Sequence, residues 1–255
     1  MDIVDIIWAL HQDPGTDLNE QLANIDLEFD AGQALQLALL ARWLEQGESI
    51  GGWKIGMTSG ANRNAMGDGI RPFGFILQSR IFESGSELSL SDLHKGQVEN
   101  ELALLIGKEL APGATRRDAV ASVEAIIPAF EINQKRLPPG AGSGLRVADN
   151  LSNYGIVVGG STPPVDDLSN MQVTLEQQAT QSQPLQVIES VQSQGHIDDH
   201  FDSLAILSNR LHKFGHALKP GQYVITGAYG KTSFAAGTYT GQFDQGVGSV
   251  SVTLA

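Results

Sequence analysis

Cysteine is absent from the 255-residue chain, which removes thiol nucleophiles, thiolate zinc sites, iron–sulfur clusters and disulfide cross-links together. Any metal must therefore be held by oxygen or imidazole. Basic residues are scarce: 16 Lys and Arg stand against 29 Asp and Glu, and the resulting charge of -13 repels phosphate backbones and anionic headgroups. Nucleic acid and membrane surfaces are excluded as natural partners on that ground. No run reaches the roughly 18 apolar residues of a membrane span. The opening Met1-Asp2-Ile3-Val4-Asp5 carries no basic residue ahead of its apolar ones, so the expected location is cytoplasmic. What is present is ordinary globular material, 41% hydrophobic and 18% charged, enough to bury a full core.

Familiar motifs are missing as well. Gly227-Ala228-Tyr229-Gly230-Lys231-Thr232 imitates the end of a phosphate loop, but Ile225 stands where the first glycine belongs and the following residues are strand-like. There is no G-x-S-x-G elbow, and Gly140-Ala141-Gly142-Ser143-Gly144 lacks the flanking strand and helix of a nucleophile or dinucleotide site. His196/His200 and His212/His216 have i, i+4 spacing, but each straddles a predicted helix end and no H-E-x-x-H glutamate accompanies them. They are set aside as ligands, with His196 alone placed near a site.

Periodicity predicts a helical start, since Leu37, Leu40, Ala41 and Leu44 fall at i, i+3, i+4 and i+7. From Gly51 the texture turns to short β-rich runs broken by glycine, predicted at 53–57, 74–82, 98–106, 154–158, 171–176, 223–226 and 247–254. Two further helices are expected. One covers 115–127, opened by Thr115 and Asp118 and stopped by Pro128; the other covers 199–214, ended by Gly215. Strands outnumber helices without alternating regularly, which disfavours a doubly wound sheet or an eight-fold barrel. The expectation is an α+β protein: a helical N-terminal segment over 1–70, then a mixed, mainly antiparallel β-domain over 71–255. The irregular loop 133–149 is a candidate lid.

The chemistry-bearing pattern is Val98-Glu99-Asn100-Glu101-Leu102-Ala103-Leu104-Leu105-Ile106. Side chains alternate along a strand, so Glu99 and Glu101 share a face, roughly 7 Å apart, with Ala103 and Leu105 continuing it. An inward pair of carboxylates is costly unless a cation neutralises it. Glu131 follows in the apolar run Ile126-Ile127-Pro128-Ala129-Phe130-Glu131-Ile132, just past the expected helix. Three carboxylates suit a hard cation, Mg²⁺ or Mn²⁺. A wet strand edge with ordinary surface glutamates fits the same pattern, and pattern alone leaves it slightly ahead. Lys54, in Gly51-Gly52-Trp53-Lys54-Ile55-Gly56-Met57, sits awkwardly in an apolar strand unless its ammonium meets an anion; a snorkelling lysine is the equal alternative.

Taken in order, Gly52-Trp53-Lys54-Ile55-Gly56-Met57-Thr58-Ser59, Phe73-Gly74, Glu99-Asn100-Glu101-Leu102-Ala103, Pro128-Ala129-Phe130-Glu131, Ala148-Asp149-Asn150 and Ile225-Thr226-Gly227-Ala228 carry a likeness over nearly the whole chain. The sequence resembles the 2-keto-4-pentenoate hydratase / 4-oxalocrotonate decarboxylase branch of the fumarylacetoacetate hydrolase superfamily. The resemblance implies a mixed β-roll catalytic domain, Mg²⁺ or Mn²⁺ on Glu99, Glu101 and Glu131, Lys54 as the active-site lysine and a homo-oligomer. It also implies Asn150, Ser152 and Thr226 as polar groups for a small 2-oxo or 2-hydroxydienoic acid from aromatic meta-cleavage. The activity it implies first is hydration of 2-hydroxypenta-2,4-dienoate. Decarboxylation of 2-oxo-3-hexenedioate comes second and carbon–carbon hydrolysis of an acylpyruvate third, with an inactive partner subunit as the non-enzymatic alternative. Two departures stand out. Pro72 occupies the position before Phe73-Gly74 where such hydratases carry an acid, so that role passes to a group such as Asp68 or the reaction differs; residues 135–144 also depart from the family.

Overall fold

A computed structural model describes residues 2–23 and 25–255; Met1 of the opening motif and Asn24 of the helical segment lie outside the described residues. Asp2 caps α1 (Ile3–Gln12) in a reciprocal box with Asp5, satisfying first-turn N–H groups. The short α2 (Asn19–Leu22) and the long α3 (Phe29–Glu45) follow, and Arg42 of α3 reaches back to Asp5 at 2.6 Å. The inward face of α3 is not the leucine stripe. Ala41 and Leu44 are exposed, while Gln33, Gln36, Leu39, Leu40 and Trp43 are buried. Gln36 explains the rotation, because its amide donates to the carbonyls of Phe73 at 2.6 Å and Val147 at 3.0 Å and so satisfies backbone groups no leucine could.

Among the described residues, twelve strands form two sheets. They are β1 (Ile50–Ile55), β2 (Phe73–Leu77), β3 (Ile81–Glu83), β4 (Ser86–Leu88), β5 (Gly96–Ile106), β6 (Val123–Gln134), β7 (Asn153–Val158), β8 (Gln172–Gln178), β9 (Gln186–Gln192), β10 (Tyr223–Ser233), β11 (Gly237–Phe243) and β12 (Gly248–Leu254). The main sheet runs β2-β1-β10-β5-β6-β7-β3 and the second β4-β12-β11-β8-β9. All pairings are antiparallel except β1/β10, β3/β7 and β4/β12, so the α+β, mainly antiparallel expectation describes the molecule. The run of N-terminal α-helices ends at Glu45, and β1, inside the 1–70 segment, is already a strand of the main sheet.

The predicted helix 115–127 is corrected. Only α4 (Arg116–Ser122) is helical, capped by Thr115 and Asp118, and from Val123 the chain is β6. The β-branched Val123, Ile126, Ile127 and Ile132 favour the strand. Pro128 survives inside it because its backbone polar groups face the end of β7: its carbonyl accepts from Gly159, just past β7, at 2.8 Å, so the missing N–H falls where the neighbouring strand has ended. The run at 74–82 splits into β2 and β3, and β4, β9 and β11 appear where no strand was predicted. The candidate lid is docked: it contains α5 (Ser143–Ala148), whose Gly144, Leu145, Val147 and Ala148 are buried. A Cβ on Gly32 of α3 would lie 2.1 Å from the Gly144 carbonyl, a contact distance only glycine permits. The last helix, α6 (His200–Lys213), matches its prediction, with Asp199 as cap and Gly215 at φ 76° beyond it.

Alternation along β5 divides the core. Leu102 and Leu104 join the larger cluster, shared with Leu39 and Leu40 of α3, Leu204 and Leu207 of α6 and Tyr239 and Val252 of the second sheet. Ala103 faces the other way with Ile76, Ile127, Ala129, Ile156 and Ile225, and by the same period Glu99 and Glu101 point to that face. Among the described residues no helix is long and apolar enough to cross a membrane.

Candidate metal centre

Strand pairing assembles the site. Glu99 lies directly opposite Glu131 in the β5/β6 register, and Glu101, two residues along β5, lies opposite Ala129. One carboxylate oxygen from each glutamate can be chosen so that all three lie within 4.8 Å of one another. Glu131 is thus a strand residue, not one following a helix. Glu101 is 3% exposed and Glu131 1%. Among the described residues this is the one group of three or more His, Asp or Glu side chains close enough to share an ion.

The surrounding donors hold the carboxylates in place. Lys54, buried on β1, donates through Nζ to Glu131 Oε1, and Asn153 donates to the same oxygen at 2.7 Å. Glu101 Oε2 accepts from the backbone N–H of Gly227 at 2.6 Å. That N–H is available because β10 breaks register between Ile225 and Ala228, with Gly227 at φ 136°. A Cβ there would sit 2.2 Å from Thr58 Oγ1, so Gly227 is required by both conformation and space.

Three carboxylates against one buried ammonium leave a formal charge of -2. Burial, and then the charge of Glu131, push the Glu101 carboxyl well above its ordinary value; the same two causes raise Glu99. The donor set is all oxygen, with Glu101 and Glu131 buried and Glu99 half-buried, and it is over-negative by the charge of one divalent cation, which fits Mg²⁺ or Mn²⁺.

The centre forms part of the wall of a cavity of about 360 Å³, lined also by Thr58, Arg146, Ser152, His196 and Lys231. Of the residues expected to bind substrate, only Ser152 lines it. Asn150, Leu151 and Ser152 hold consecutive φ values of 56°, 51° and 64°, left-handed conformations costing roughly 1–3 kcal/mol each for non-glycine residues. Asn150 does not line the cavity; its amide is used on Phe75, accepting from the N–H at 2.8 Å and donating to the carbonyl at 2.9 Å. Thr226 does not line it either, being fully buried with its hydroxyl 2.6 Å from His200 Nδ1. In both cases the side chain satisfies a buried partner on another element, a need that sequence spacing does not reveal. Asp68 bonds Asn64 at 2.9 Å outside the cavity, and the Pro72 carbonyl accepts from Gly56 at 2.8 Å. Asn153 and Gly227 are site residues that sequence reasoning missed. Asn153 had a faint signal, a polar residue entering the predicted strand 154–158.

Nearby lies a second buried ionic group. Asp149 Oδ1 accepts from Arg136 Nε at 2.8 Å and contacts His11 Nε2 at 3.1 Å. Arg136 also donates to Gln134 at 3.1 Å and to the carbonyls of Asp149 and Asn153 at 3.2 and 3.1 Å. Burial pushes the Asp149 carboxyl upward, but Arg136 and His11 outweigh it and hold it below its ordinary value. Burial, then Arg136, lower His11 to about 4, so at neutral pH it is a neutral donor.

Comparison with known proteins agrees with this architecture. The fold matches that of 4-oxalocrotonate decarboxylase from Pseudomonas putida G7, solved with magnesium and adipate, with a TM-score of 0.87, 23% identity and coverage of 99% of this chain and 96% of that one. That places the chain among proteins of the fumarylacetoacetate hydrolase fold. By sequence it is 30% identical over 201 residues to 4-oxalocrotonate decarboxylase from a Pseudomonas species, covering 76% of this chain and 74% of that protein. It is also 30% identical over 218 residues to 2-keto-4-pentenoate hydratase from Burkholderia vietnamiensis, covering 82% and 79%. The chain belongs to the family of these hydratases and decarboxylases. No family model matches it.

Proposed function

We propose that the chain is a divalent-metal-dependent lyase that hydrates 2-hydroxypenta-2,4-dienoate, or a substituted relative, to a 4-hydroxy-2-oxo acid. The observation that carries the reading is the over-negative trio of buried Glu101 and Glu131 and half-buried Glu99 in the wall of the cavity. Mg²⁺ or Mn²⁺ held there would supply Lewis acidity and a template for the carboxylate and 2-oxygen of the substrate. The chain's own groups do the rest. Asn153 and the Gly227 N–H orient Glu131 and Glu101, and Lys54, bonded to Glu131, holds the substrate carboxylate or hands over a proton. Ser152 adds a hydroxyl in the wall.

Decarboxylation of 2-oxo-3-hexenedioate is the second reading. It is favoured by Pro72, by the position of Asp68 outside the cavity, and by Arg146 and Lys231, cations in the wall that suit a second carboxylate. Incubation with each acid in Mg²⁺ and identification of products tests both. 4-Hydroxy-2-oxopentanoate from the dienoate supports the first; CO₂ released only from the dicarboxylate replaces it with the second; turnover of neither sinks both. A cytoplasmic homo-oligomer is part of the proposal. Exposed Leu185, Val187 and Ile188, the last two on the edge strand β9 and Val187 62% exposed, favour self-association. Light scattering giving the monomer mass, 27.2 kDa, refutes it.

A further inference from the structure

The pairing of β10 to β5 is interrupted beside the centre, shifting register twice, between Ile225 and Ala228 and again between Ala228 and Lys231. Unpaired backbone of this kind keeps one shape only if something outside the ladder holds it. Ala228 is opposite Glu101 and shares its face, whereas the ring of Tyr229 joins the larger core on the other side of the sheet, although Tyr229 also borders the cavity. On that far side stands His200, the first residue of α6 and 3% exposed. Its Nδ1 is 2.6 Å from Thr226 Oγ1 and its Nε2 2.6 Å from Tyr229 Oη. One imidazole therefore bridges the two residues that flank Gly227-Ala228. A third tie comes from Thr58, whose hydroxyl donates to the Thr226 carbonyl at 2.8 Å. Burial holds His200 down to about 4, so the bridge is a neutral ring with one nitrogen donating and the other accepting.

We infer that His200 is a positioning residue for the metal centre: by tying Thr226 to Tyr229 it fixes the β10 break in the shape from which the Gly227 N–H reaches Glu101. The inference rests on the metal reading proposed above. It gives Thr226 a role that needs no contact with substrate, and it gives the i, i+4 pair His196/His200 two separate duties, His196 in the cavity wall and His200 behind it. Without the bridge, the break relaxes, Gly227 withdraws its donor and Glu101 loses its orientation. A group bonded directly to a ligand typically changes metal affinity by about 10–100-fold when removed, and here that group is the Gly227 N–H, with His200 acting through it.

The test is Mn²⁺ affinity of the full chain by titration calorimetry, without substrate, alongside melting of the metal-free protein. His200→Leu is expected to weaken Mn²⁺ binding by about 10-fold, the low end of the range for a direct partner of a ligand, while His200→Gln, whose amide can both donate and accept, recovers part of the loss. Thr226→Val and Tyr229→Phe each delete one hydroxyl at nearly constant shape, and they decide the matter if His200→Leu does not fold. Weaker Mn²⁺ binding in both supports the inference. Lowered melting temperatures with Mn²⁺ affinity unchanged overturn it and leave His200 as a plain structural bridge. A wild-type chain that fails to bind Mn²⁺ at all overturns the metal reading and this inference with it.

Discussion

Two buried carboxylate clusters lie close together, and they are built in opposite ways. Around Asp149 the protein supplies its own balance: a guanidinium, a neutral imidazole donor and backbone acceptors for the remaining guanidinium hydrogens, and the carboxyl is held below its ordinary value. Around Glu101 the protein supplies three carboxylates, one ammonium and a few oriented donors, and the carboxyl is held above its ordinary value. The first cluster balances its charge within the chain, although among the described residues Asp149 Oδ2 is buried without a hydrogen-bond partner, and it ties α1, the end of α5 and β7 together. The second is finished only by a cation from outside. Asp149 and Glu101 are both buried; the sign of the shift separates a structural cluster from one that awaits a ligand.

The sharpest way to break this comparison is to remove the cation of each cluster. Arg136→Met leaves Asp149 buried and uncompensated, and is expected to cost about 3–5 kcal/mol of stability, read from the urea midpoint at constant slope. A loss below about 1 kcal/mol, the range of an exposed pair, would deny the cluster its structural role. Lys54→Met should instead act on chemistry. In excess Mg²⁺ the fold survives while turnover of the accepted substrate falls by about 10²-fold, roughly 2.7 kcal/mol of barrier. Near-normal turnover would return Lys54 to a packed, snorkelling lysine.

The smallest effect carries the clearest sign. A carboxyl whose folded pKa is raised binds its proton more tightly folded than unfolded, so its contribution is greatest below the ordinary value of 4.5 and is lost as pH rises through the raised value. Metal-free Glu101→Gln should therefore melt with the wild type at acid pH and progressively above it toward neutrality, and Mg²⁺ should reverse the order by stabilising only the wild type. His11 gives the opposite slope: lowered to about 4 from 6.5, its contribution is complete above 6.5 and fades as pH falls toward 4. A Glu101→Gln variant less stable than the wild type at neutral pH without metal would show that the trio is balanced after all.

These clusters also mark where the sequence was legible. The Glu-x-Glu alternation needs only the period of a strand, and the helix at 200–213 needs only its cap, stripe and terminal glycine; both are local and both could be read. The Asp149 cluster joins residues as far apart as His11 and Arg136, and no local period reports such a meeting. β6 was misread up to Ile127 because a capped helix runs into an apolar strand with no polar residue to separate them. β9 was missed because both of its faces are largely exposed, which removes the alternation that identifies a strand. Asn150 and Thr226 fall near the site in sequence, but their side chains are taken up by partners behind it.

The opposition of Glu99 and Glu131 has a consequence for handling the protein. A one-residue slip of β5 against β6 turns every β5 side chain to the other face, which would carry Glu99 and Glu101 into the large apolar cluster and bring Asn100 and Leu102 into their places. No slipped chain can present three carboxylates together. Retention by an immobilised divalent cation is therefore a proofreading step for strand pairing: it selects molecules by register, a property that secondary-structure content and apparent mass leave invisible.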